Sequence, residues 1–159
     1  MLDKSFALAL VAIVGLMSFQ TKDTSKEIEK LLTTQAECWN DGDIDGFMQT
    51  YWKSEDLTFS GGGNTTRGWQ ATLDRYKKSY PKDKMGQLTF DGLETTLLSG
   101  EAAMVLGKWH LLIPQEKGED EKKDGNFTLV LKKIAGDWKI IHDHSSTLEP
   151  EDEAQEKAK

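Results

Sequence analysis

A chain of 159 residues with 20 basic and 27 acidic side chains, net charge −7, is sized for one domain and lacks the basic footprint of a general nucleic-acid binder. Five tryptophans, six phenylalanines and three tyrosines within a 37% hydrophobic composition supply a core and exclude a disordered chain. A single cysteine, Cys38, excludes an intrachain disulfide.

The chain opens with Lys4 and an apolar run from Phe6 to Phe19. A membrane span needs about 20 apolar residues, so this run has the length of a secretory leader instead. We expect a signal peptide over residues 1–20, an exported (periplasmic or secreted) product, and no membrane association after cleavage. Thr24 to Glu27 then fits a capping box. Ile28, Leu31, Leu32, Gln35, Ala36 and Trp39 fall on one face of a helix that Gly42 ends. Asp43 can cap a second helix with Ile44, Phe47, Met48, Tyr51 and Trp52 on one face. Leu57–Phe59 is a short strand, and "SGGGNTTRG" reads as a turn. A third helix carries Trp69, Leu73, Tyr76 and Tyr80 on one stripe and ends at Pro81.

Four strands follow, at 87–98, 102–113, 125–134 and 138–147, joined by polar or glycine-containing segments that imply antiparallel neighbours. The charged segment at 115–124 reads as a solvated hairpin tip, and 149–159 as a charged, disordered tail. Helices grouped before strands make an α+β domain over 21–148. Strand 102–113 is apolar on both faces, and only one face can pack on the helices. The other predicts a homodimer through the sheet.

The order of elements, the opening "CWNDGDIDGFMQTYWKSEDLTFSGGG" and the closing Trp138, Ile140, His142, His144, Ser146 pattern resemble the nuclear transport factor 2-like superfamily. Within it the likeness is to the SnoaL-like branch and to the association domain of calcium/calmodulin-dependent protein kinase. The resemblance implies a cone-shaped α+β barrel, three N-terminal helices packed on a curved antiparallel sheet, with a pocket at the open end. Members of that superfamily include isomerases, cyclases, dehydratases and domains without catalysis, so the fold does not fix the reaction. The isomerase-type aspartate after the first strand has no counterpart here, where Phe59-Ser60-Gly61 stands.

A small-molecule-binding domain, non-catalytic or weakly catalytic, is therefore expected. The alternatives are an isomerase, cyclase or hydratase acting on a small hydrophobic carbonyl compound, and a dimerisation or assembly module. Candidate pocket residues are Tyr51, Trp52, Phe59, Trp69 and Trp109 as aromatic walls, Arg67 as a fork for a ligand carboxylate, and His142 and His144. The two histidines share a strand face, about 6.6 Å apart, whereas Asp143 points the other way, so no pair can form among neighbours. A β-bulge would decide which face looks inward. His-x-His alone is a weak metal signal, and the glycine run at 61–63 lacks the phosphate-loop pattern, so neither a metal nor another cofactor is expected.

Overall fold

A computed structural model describes residues 24–82 and 85–148. The leader expected at 1–20 and the tail expected at 149–159 lie outside the described residues. Helix α1 (24–40) buries Ile28, Leu32, Gln35 and Trp39, the stripe that 3.6-residue periodicity requires. Its end is set at Gly42, whose φ of 73° is open to glycine and whose N–H donates to the Trp39 carbonyl. Asp43 accepts from the Gly46 N–H at 2.8 Å and starts α2 (Ile44–Met48).

The apolar stripe expected to run on through Tyr51 and Trp52 outlasts this helix. After Met48 the chain turns and joins the sheet: Tyr51 bridges Ile140, the Trp52 N–H donates to the Ile140 carbonyl, and the Ile140 N–H donates to Thr50. Backbone pairing with a strand thus takes over from helical bonding, and it fixes Tyr51 beside the last strand.

The segment expected to be one turn forms a hairpin instead. Strands β1 (Thr58–Gly61) and β2 (Asn64–Arg67) pair with Gly61 opposite Asn64. Only Gly62 and Gly63 are left as the loop, both at positive φ, as a tight two-residue hairpin demands. Helix α3 (Trp69–Ser79) follows, with Trp69, Thr72 and Leu73 buried.

Strands β3 (Gln87–Ser99), β4 (Ala102–Ile113), β5 (Glu121–Ile134) and β6 (Asp137–Thr147) form the expected antiparallel meander. β5 starts four residues earlier than the sequence suggests. Its charged residues 121–124 pair with 110–113 near the solvated end of the hairpin, where backbone bonding needs no apolar side chain. The six-stranded sheet runs in the order β2-β1-β6-β5-β4-β3, antiparallel except where β1 lies parallel to β6. Register shifts on β3 and β6 mark bulges, which bend the sheet around the helices. The result is the α+β cone. Val105, Leu111, Leu129, Leu131 and Ile140 meet Ile28, Leu32, Trp39 and Met48 in its core.

Candidate functional site

The bulge on β6 decides the site. Trp138 and Ile140 point into the core. On β5 the register steps from Leu131, opposite Ile140, to Val130, opposite His142, so Ile141 is an extra residue. An extra residue inverts the alternation. Beyond it Asp143 and Ser145 face inward, while His142 and His144 face out.

Inside the cone lies a cavity of about 170 Å³. Trp39, Phe47, Tyr51, Tyr76 and Tyr80 close it from the helical side. Phe59, Phe90, Trp109, Phe127 and the leucines Leu88, Leu111 and Leu129 line it from the sheet. Two glycines make room for the large rings. A Cβ on Gly107 would overlap the Phe127 ring, and one on Gly125 would overlap the Trp109 ring and the Ser146 carbonyl. The rings pack edge-on, with centroids 5.2 Å apart for Trp39–Phe47 and 5.4 Å for Phe59–Tyr76.

The polar centre is Asp143, 4% exposed. One carboxylate oxygen accepts from the Tyr51 hydroxyl at 2.7 Å, and the other accepts from the Ser145 hydroxyl at 2.8 Å. Burial raises its pKa to about 6, because a charge in an apolar surround is poorly solvated; the bonds from Tyr51 and Ser145 pull the other way. Burial and the Asp143 charge push the Tyr51 and Tyr76 phenols well above 10, so both stay protonated donors. A carboxyl poised near neutrality beside a phenol can accept a hydrogen bond from a ligand, and can also take up or return a proton. Gln35, whose amide donates to Thr50 at 2.6 Å, adds a second buried polar wall.

Arg75, on α3, is the cavity's cation. It donates to the Gly61 carbonyl at 2.8 Å and to the Thr66 hydroxyl at 3.0 Å, and its guanidinium lies over the Phe59 ring at 4.8 Å.

Of the residues expected at the pocket, Tyr51, Phe59 and Trp109 line this cavity, and the other five do not. Trp69 is spent in the core, where its indole N–H donates to the Met48 carbonyl at 2.9 Å. Trp52 follows the turn onto β6 and is half-buried away from the cavity. Arg67 is exposed at the end of the hairpin, so Arg75 stands where Arg67 was expected. His142 and His144 lie on the outer face. His142 Nδ1 is 2.6 Å from the Thr58 hydroxyl, and burial together with the His144 charge lowers its pKa. His144 borders a shallow cleft beside the β1–β2 hairpin.

Sequence reasoning passed over Asp143, Ser145, Arg75 and Tyr76 as site residues. One signal was available: consecutive Ile140 and Ile141 break the alternation that Trp138 and Ile140 begin. Among the described residues no three His, Cys, Asp or Glu side chains converge as a metal site.

Comparison with known proteins places this geometry. The SnoaL-like domain matches residues 28–150. An NTF-2 like protein of unknown function from Shewanella oneidensis is 42% identical, with a TM-score of 0.70 over 77% of this chain and 98% of that one. At 19% identity, a candidate calcium/calmodulin dependent protein kinase II association domain from Xanthomonas campestris superposes with a TM-score of 0.66, covering 79% of this chain and 87% of that one. A ketosteroid isomerase-like protein from Erwinia carotovora atroseptica, 20% identical, gives 0.64 over 77% of this chain and 95% of that one. These last two show the fold alone. No curated protein matches the chain significantly. The match over most of its length, together with the 42% identical relative, shows that the chain belongs to the SnoaL-like family of the nuclear transport factor 2-like superfamily.

Proposed function

We propose that this domain binds a small, single-ring organic molecule inside the cone and holds one polar group of it against Asp143. The observation that carries the reading is a buried carboxyl facing an aromatic cavity that side chains leave unfilled. A cavity near 150 Å³ is known to hold one benzene ring, which sets the ligand's scale. The open volume also speaks for binding over a purely architectural role. The test is calorimetric titration with phenol. The parent is expected to bind one phenol per chain. Leu129→Phe, which places a ring opposite Asp143 and fills the space, is expected to abolish the heat while the circular dichroism stays that of a folded protein. Equal binding by parent and variant would count against the cavity.

Two further parts of the reading have their own support. Dimerisation rests on the outer face of β4, where Leu106 and Leu112 are 41% and 37% exposed and Met104 stands beside Val130. Export rests on the apolar run from Phe6 to Phe19 and is checked by the intact mass of protein from the host envelope, expected to lack about the first 20 residues.

A further inference from the structure

Arg75 and Asp143 are the two charged side chains among the residues that line the cavity. No ion pair joins them among the described residues. The opposite charges are therefore present in one apolar space without neutralising each other by contact. Each also has unused capacity. A guanidinium has five N–H donors, and Arg75 spends two of them, on Gly61 and Thr66. Those two bonds and the Phe59 ring fix the plane of its fork before a ligand arrives. Each Asp143 oxygen accepts one hydroxyl and keeps a second lone pair.

Resting on the cavity reading above, we propose that the ligand is a monocyclic organic acid with a hydroxyl or amino group at the end away from its carboxylate. The carboxylate meets Arg75, the ring lies among the aromatic side chains, and the protic group donates to Asp143. A purely cationic ligand would be repelled by Arg75. A neutral ring would leave the guanidinium's remaining donors without an acceptor from the ligand. A ligand with both groups satisfies both ends, and charge-assisted bonds to a planar fork are the strongest contacts available in such a site.

Calorimetry with four probes tests this: phenol, benzoate, 4-hydroxybenzoate and benzylammonium. We expect 4-hydroxybenzoate to bind about tenfold or more tighter than phenol and benzylammonium, and severalfold tighter than benzoate. Arg75→Gln is expected to reduce its affinity to the phenol level. Arg75→Lys, which keeps the charge without the fork, is expected to fall between, and serves as the reporter if the glutamine variant does not fold. Arg67→Gln is expected to change nothing. Equal affinity for phenol and 4-hydroxybenzoate, tighter binding of benzylammonium, or an affinity insensitive to both Arg75 variants would overturn the assignment while leaving the cavity reading in place. Absence of binding by every probe, phenol included, would overturn both.

Discussion

Asp143 costs the fold stability at neutral pH. Its carboxyl has a pKa of about 6 when folded against an ordinary value of 3.8, so the folded chain holds this proton more tightly than the unfolded chain. Stability from this group is therefore greatest below about pH 4, falls as pH rises from there to about 6, and is flat above. The span of about two pKa steps corresponds to ~3 kcal/mol as an upper figure. Asp143→Asn does not titrate, so its melting temperature relative to the parent is expected to rise by several degrees between pH 4 and pH 7.5. Parallel melting curves for the two proteins across that range would show that Asp143 is not the desolvated group described. A buried charge that costs stability fits the proposed role of holding a ligand's polar group in the cavity.

At the scale of the element, β6 carries the decision. Ile141 is one residue, yet it turns Asp143 and Ser145 inward and His142 and His144 outward. Deleting Ile141 would leave the pairs Leu131–Ile140, Val130–His142 and Leu129–Asp143 in step without a bulge, so Asp143 would still face inward and the two histidines outward. The deletion variant is expected to fold, to lower the melting temperature by a few degrees through lost sheet curvature, and to keep the fall in stability between pH 4 and pH 7.5 that marks a buried Asp143. A deletion variant that loses this pH-dependent fall would mean that Ile141 is not the extra residue. This element also shows where sequence reading stops. The helical stripes of α1 and α3 are legible because one face is apolar over several turns. The β4 alternation is hidden by apolar residues on both faces, and the β6 bulge leaves one trace, the adjacent Ile140 and Ile141, which does not say where the hydrogen-bond register steps. Arg75 was overlooked for a related reason: its helix was legible, but which helical residues reach the cavity mouth depends on how α3 sits on the β1–β2 hairpin.

Across the whole molecule, the α+β class was legible from element order, because antiparallel strands after helices can bury their shared apolar face in few ways, and the cone followed from the family resemblance. The cavity was not, since it arises from what the packed elements leave empty. The outer sheet face belongs to this scale too. If it joins two copies, Leu106→Asp is expected to convert a particle of twice the chain mass into one of the chain mass by light scattering at micromolar concentration, with the fold intact; a parent that is already monomeric would remove the dimer from the account. The proposed ligand site is the inside of the cone, not the histidine face. A crystal structure of the protein soaked with phenol tests it most directly. One phenol is expected among the rings of Trp39, Tyr76 and Trp109, with its hydroxyl within hydrogen-bond distance of Asp143. Phenol bound instead against His142 or His144, with the interior closed by side chains, would contradict it.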